Sequence, residues 1–202
     1  MYRQIINKEH KERVFQNAGG DVEYIELVHS GEDYFLRMKN IIENAQQEIH
    51  LQTYIFENDE TGRSIGTCLK EAVRRKVKVY VLLDGYGSAK LPNSFTQDLI
   101  KDGISFRFFS PLISLNNFYV GRRMHHKILV ADGKVALIGG INIADKYHGT
   151  PQSEPWLDYA VQLQCPAAVN LQNLCRSIFF KKRVLIKIKS VFHEAENDLV
   201  RI

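Results

Sequence analysis

The sequence predicts an α/β domain, a mixed and mostly parallel central sheet flanked by helices, and three observations carry that expectation. Between residues 22 and 109, segments with the two-residue period of a strand alternate with segments whose apolar residues recur at helical spacing. Strand-type runs such as KVYVLL at 78–83 are nearly continuous in apolar residues, the mark of strands buried on both faces. A length of 202 residues holds one ordinary domain with a substantial core and cramps two.

Residues 1–20 are polar and end in Gly19-Gly20, so they read as a leader outside the main domain, with a helix as the expected form. VEYIELV at 22–28 alternates like a strand, and Phe35, Met38, Ile41, Ile42 and Ala45 then recur at helical spacing through 31–47. EIHLQTYIF at 48–56 is a second strand, after which NDETG turns the chain into a helix with Ile65, Leu69, Ala72 and Val73 on one face. KVYVLL ends in DGYGS, which lacks the Gly-x-Gly-x-x-Gly spacing of a phosphate cradle and reads as a turn. A short helix at 95–100 and a strand at 104–109 complete the alternation, and SPLISLNNFYV at 110–120 reads as a loop. Strands at 128–130 and 135–138 are joined by a tight Asp132-Gly133 turn. Residues 156–164 form the last strand, and Pro166 opens a helix to about residue 180. The main domain is therefore expected over 21–180, followed by a basic connector at 181–202 that holds Lys181, Lys182, Arg183, Lys187 and Lys189.

Apolar and charged fractions of 45% and 25% exclude a disordered or collagen-like chain. The formal charge of +4 suits nucleic acid, an anionic membrane surface or neither, and so selects nothing. Cys68, Cys165 and Cys175 are odd in number and lack metal-type spacing, which argues against a disulfide framework or a zinc site and for a reducing, cytoplasmic setting. No window has the apolar length of a transmembrane helix, and the first residues lack the core of a signal peptide.

Chemistry concentrates in MHHKILVADGKVALIGGINIADKY at 124–147. Strand alternation sends His125 and Lys127 to one face and His126 to the other. An imidazole and an ammonium side by side are poor core material unless an anion joins them, because burying an unpaired charge is costly. Lysine supplies a point charge suited to phosphate, and an unprotonated imidazole is a nucleophile or a proton carrier. Gly139 and Gly140 are expected to let the backbone approach a ligand, and Asn142 offers an amide beside the start of a helix. Every part suits a phosphoryl group.

These residues resemble the signature of the phospholipase D superfamily, His-x-Lys-x-x-x-x-Asp followed after six residues by Gly-Gly/Ser-x-Asn. His125, Lys127, Asp132, Gly139, Gly140 and Asn142 stand in that register. Six fixed positions coincide by chance on the order of once in fifty million starts, so coincidence is a poor explanation. HSGEDYFLRMKNIIENAQQEIHLQTYIFENDETG at 29–62 and VKVYVLLDGYGS at 77–88 also look like the first half of bacterial cardiolipin synthases, and the similarity spans roughly 22–168.

The resemblance implies a phospholipase D-like lobe that exchanges phospholipid phosphodiesters through a phosphohistidine. It implies a catalytic set of His125, Lys127 and Asp132, a phosphate held by Lys127, Gly140 and Asn142, and no metal or cofactor. Asp132 is expected to act structurally, through hydrogen bonds around its turn. Trp156-x-Asp158 belongs to the same resemblance; Asp158 reads either as the holder of an imidazole tautomer or, the favoured reading, as a carboxylate on the strand's polar face. His125, His126, Asp132 and His148 are not read as a metal site, because adjacent strand residues diverge.

The implied partners are a phosphatidylglycerol-like phospholipid and an anionic membrane surface. That places the chain peripherally on the cytoplasmic side of a bacterial inner membrane, with nucleic acid not favoured. From composition, 110–120 with Arg122 and Arg123 reads as an ordinary loop, the favoured reading, or as a lip that meets acyl chains and lipid phosphates. The basic connector reads as a solvated segment, the commoner case, or as a lipid-facing patch. The family's site takes two facing signatures, whereas none of His10, His29, His50, His148 or His193 is followed two residues later by lysine. A second signature lobe, opening at LVRI, is the favoured completion, and a homodimer is the other. The alternative function is a single-signature homodimeric phosphodiesterase or nuclease.

Overall fold

The computed structural model describes residues 3–6, 12–16, 22–110, 113–114, 117–118 and 123–181. Arg122, most of the 110–120 stretch and the connector after Lys181 lie outside the described residues.

The strands β1 (Arg3–Ile6), β2 (Glu12–Gln16) and β3 (Val22–His29) come first, and β3 leads into α1 (Glu32–Asn44). There Tyr34, Phe35, Met38, Ile41 and Ile42 are buried along one face, as the helical spacing of the sequence requires. β4 (Glu48–Thr53) leads into α2 (Glu60–Arg74), whose first turn is capped by Asp59 accepting from Gly62 N at 2.9 Å. β5 (Lys78–Asp84), α3 (Asn93–Lys101) and β6 (Ser105–Phe109) complete the strand–helix alternation. The two-residue strands β7 (Ile113–Ser114) and β8 (Asn117–Phe118) pair with each other. β9 (Lys127–Ala131), β10 (Val135–Gly139), the single turn α4 (Asp145–His148), β11 (Tyr159–Gln164) and α5 (Ala167–Phe179) follow.

The sheet is mixed, in the order β1-β2-β3-β11-β10-β9-β4-β5-β6. Among the described strands of the sheet only β4–β5 and β5–β6 run parallel, so the expected mostly parallel sheet is corrected to a mostly antiparallel one. The cause lies in the return path. After β6 the chain crosses back and inserts β9 antiparallel beside β4, and a tight turn then forces β10 antiparallel to β9. Apolar runs report burial on both faces but not strand direction.

Asp132 and Gly133 form that turn, with φ of 55° and 63° and a closing bond from Lys134 N to Ala131 O at 2.9 Å. Two successive left-handed residues are what a hairpin's right-handed twist demands. Two further expectations are corrected. The leader's described residues extend the sheet from β3 as antiparallel strands rather than forming a helix outside it. The last strand starts at Tyr159, leaving Trp156 and Asp158 in the loop before it.

Helices cover both faces. Ile49 and Leu51 of β4 and Leu129 of β9 face α1 and α2 in the main core. Ile128 and Val130, one residue out of phase, face Ala168 and Cys175 of α5. The period of two thus assigns each residue around His125 to a known side of the sheet.

Candidate active site

The site lies at the start of β9. Lys127 is the first ladder residue, opposite Gly139, and shares the α1–α2 face with Leu129. It is only 5% exposed. Its Nζ donates to His125 O at 2.8 Å and lies 3.5 Å from His125 Nε2, so the predicted shared face holds. Burial lowers the Lys127 pKa, and the negative charge of Asp158 offsets part of that shift. Among the described residues the ammonium makes no ion pair. His125 is exposed, and its ring leans on Tyr54 at 4.9 Å between centroids. The ring of Tyr54 also stands 5.4 Å from Lys127 Nζ.

Asn142, after the end of β10, is buried and bonds the segment that follows β4. Its Oδ1 accepts from Ile55 N at 3.0 Å and its Nδ2 donates to Tyr147 Oη at 2.9 Å. Gly140 differs from its expected role. Its N–H already donates to Tyr159 O at 2.9 Å, and a Cβ there would stand 2.1 Å from Asp158 Oδ1. The glycine therefore makes room for a protein carboxylate. Asp158 is not the solvated strand residue favoured from sequence: it is half-buried over Gly140, with its backbone N–H donating to Ser30 Oγ at 3.1 Å.

Asp132 stands at the opposite end of β9, roughly 16 Å of strand away from Lys127. One oxygen accepts from Gln47 N and Glu48 N and the other from Gln46 N, each at 2.8 Å. Burial would raise this carboxyl, but the three backbone donors outweigh it and hold the pKa below the ordinary carboxylate value. These bonds tie the β9–β10 turn to the connection between α1 and β4, at the far end of the strand from Lys127. His126 points to the α5 face, and its Nε2 meets Gln52 Oε1 at 2.8 Å. Among the described residues no group of three His, Cys, Asp or Glu side chains could hold a metal ion.

Sequence reasoning missed Asp84, Tyr54 and Gln52. The DGYGS stretch is a turn, as expected, but Asp84 is fully buried and accepts from Tyr86 N and Gly87 N with one oxygen and from Met124 N with the other. A polar residue closing an apolar strand run was the available signal. Arg123 packs over the Tyr86 ring at 5.2 Å and donates to Ser110 O at 3.0 Å. The loop beyond Asn142 is fixed by two carboxylates across α2: Asp59 accepts from Asp145 N, and Asp145 accepts from Thr61 N at 2.8 Å. The clefts of about 500 and 490 Å³ lie over α1 and beside α4, whereas His125 stands on an open surface.

The family profile described as "Cardiolipin synthase, PLD-like domain" matches residues 38–154. Cardiolipin synthase B of Salmonella typhimurium is 37% identical over 150 residues, 73% of this chain and 36% of that one. The Escherichia coli K12 enzyme of the same name is 39% identical over 144 residues, 70% of this chain and 35% of the other. The minor cardiolipin synthase ClsB of Bacillus subtilis is 34% identical over 179 residues, 88% of this chain and 44% of that one. This chain thus spans a third to less than half the length of these relatives. Among solved structures, Nuc of Salmonella typhimurium, a phospholipase D family member, aligns at a TM-score of 0.60 and 17% identity over 79% of this chain and 95% of that one. Phosphatidylserine synthase of Haemophilus influenzae aligns at a TM-score of 0.60 and 22% identity over 77% of this chain and 36% of its own. Both share the fold.

Proposed function

This chain belongs to the cardiolipin synthase family of phospholipase D-like domains, and we propose that it supplies one signature half of a phosphatidyltransferase. The observation that supports this most is the buried Lys127 ammonium, without an ion pair among the described residues, 3.5 Å from the imidazole of exposed His125. An anion bound between them restores the lysine's charge balance and sits in reach of a nucleophile.

In the proposed reaction the unprotonated His125 nitrogen attacks phosphorus, an N–P bond forms and the P–O bond to the leaving alcohol breaks. The imidazolium of a second signature gives that alcohol its proton. The same second imidazole then takes a proton from the acceptor alcohol, whose oxygen attacks phosphorus and releases His125. Lys127 balances charge on the non-bridging oxygens, and the amide of Asn142 serves the same oxygens. Asp158 and Gly140 shape the floor beneath them.

The proposed substrate is a phosphatidylglycerol-like phospholipid presented by an anionic membrane, on the cytoplasmic side of a bacterial inner membrane. Trp156 and Leu157, 59% and 73% exposed beside the site, suit peripheral contact with headgroups and acyl chains. No helix among the described residues is long and apolar enough to cross a membrane. The second signature comes from a partner lobe or from a second copy of this chain.

Transfer between phosphatidylglycerol molecules in vesicles, measured across a wide protein concentration range with sedimentation in parallel, tests the reading. The chain alone should be silent at low concentration, and activity should appear with a second signature lobe or track dimer formation. Full activity from a monomer at every concentration would defeat the two-signature requirement. Metal-independent cleavage of nucleic acid with no phosphatidyl transfer would establish the nuclease alternative instead.

A further inference from the structure

The residues around His125 are not held by the sheet. β9 starts at Lys127, and its ladder to β4 ends at the Gln52–Ile128 pair, so among the described residues positions 124–126 are tied to the fold by side-chain bonds. Met124 N donates to Asp84 Oδ2 at 2.9 Å, and Lys127 Nζ donates to His125 O at 2.8 Å. The third bond is made on the α5 face, where His126 Nε2 meets Gln52 Oε1 at 2.8 Å.

The direction of that third bond can be deduced. Gln52 is 1% exposed, and its Nε2 donates to Cys175 O of α5 at 2.8 Å. A carbonyl only accepts, so the amide nitrogen must face Cys175 and the amide oxygen must face His126. His126 Nε2 therefore carries the proton. Burial, and then the charge of Lys127, lowers the His126 pKa and keeps the ring neutral at pH 7. A chain of hydrogen bonds thus runs from the α5 backbone through Gln52 to the residue beside His125. An apolar pair at positions 52 and 126 would fill this volume with no directional demand.

We propose that Gln52 and His126 form a latch that aims His125. With the side chain of residue 126 pinned to Gln52 on the α5 face, His125 is turned to the other side, its Nε2 3.5 Å from Lys127 Nζ. Asp84, gripping Met124 N, is the second fixed point of the same segment. Gln52 and His126 are positioning residues, and the inference rests on His125 being the reacting group.

The test compares His126→Leu, His126→Gln and Gln52→Met in the full chain, using isotope-labelled histidine and NMR. The His125 ring signal is identified by its loss in His125→Ala. The unaltered chain should show one narrow His125 signal. His126→Leu and Gln52→Met should broaden or split it, and His126→Gln, whose amide N–H stands near the place of Nε2, should restore it. With a second signature supplied, kcat should fall about ten- to hundred-fold in His126→Leu with KM nearly constant, and His126→Gln should recover most of the loss. An unaltered His125 signal in a folded His126→Leu variant would overturn the latch, even if thermal stability dropped. Should Gln52→Met fail to fold, the two His126 variants, at a half-buried position, decide alone. The ring signals are read without substrate, so failure of the phosphodiester chemistry leaves this test standing.

Discussion

The two ends of β9 carry residues of one sequence signature and are built in opposite ways. At the Asp132 end, three backbone donors saturate one carboxylate and lock the α1–β4 connection to the β9–β10 turn. At the other end, His125 is exposed and, among the described residues, the Lys127 ammonium has a single carbonyl acceptor, with an imidazole at the limit of hydrogen-bond distance. Saturated polar groups stabilise a fold, whereas a buried charge short of partners marks a candidate ligand site. A shared motif therefore does not mean a shared role.

The largest expected effect lies at the open end. In the chain supplied with a second signature, His125→Ala should abolish trapping of labelled phosphate and lower turnover by about 10³-fold or more, with thermal unfolding unchanged. Persistent trapping would remove His125 as the nucleophile, and a collapse of folding would place it with the core. Lys127→Ala comes next: turnover should fall by about 10²- to 10³-fold, and vanadate should bind more weakly in a direct titration. Equal vanadate affinity would erase the contrast between the two ends.

Asp132→Ala should give the reverse pattern. Stability should fall by about 2–4 kcal/mol in chemical denaturation, because three N–H groups lose their acceptor and a left-handed position loses a tolerant residue. Vanadate affinity in the remaining folded protein should stay near that of the unaltered chain. The smallest effect is in pH. The folded-state pKa of Asp132 lies below the unfolded value, so its contribution is fully present above the ordinary carboxylate range. That contribution is lost as pH falls through the folded value. Unaltered chain and Asp132→Ala should therefore converge in stability on acidification below about pH 4. A constant gap between them down to pH 2 would show that the carboxylate charge is not what stabilises the turn.

Much of this was legible in the sequence, for reasons that particular elements make plain. α1 and α2 follow from apolar spacing because each buries one face, and the Asp132-Gly133 turn follows from backbone conformation alone. The shared face of His125 and Lys127 needs only strand alternation. Strand direction was not legible, because Ile128 to Val130 would read the same beside β4 in either sense. The leader's strands were hidden by polar composition, since an edge of the sheet needs no continuous apolar run. Asp84 looked like punctuation in a turn and proved to hold the backbone before His125. Gln52 was invisible inside EIHLQTYIF, because its partners His126 and Cys175 are distant in sequence. Asp158 was misread for a related reason: its position depends on a glycine eighteen residues earlier.

That glycine has a consequence for how the chain can change. Positions 140 and 158 compete for one volume, so the effect of a substitution at either depends on which residue occupies the other. Adding a methyl group at 140 alone displaces the Asp158 carboxylate; shortening 158 first removes the nearest atoms that the same methyl group would meet. The order of the two steps then decides whether the intermediate retains a negative charge beside Lys127. Libraries that vary position 140 alone will score it as intolerant, and only paired libraries can reveal the combinations that the backbone accepts.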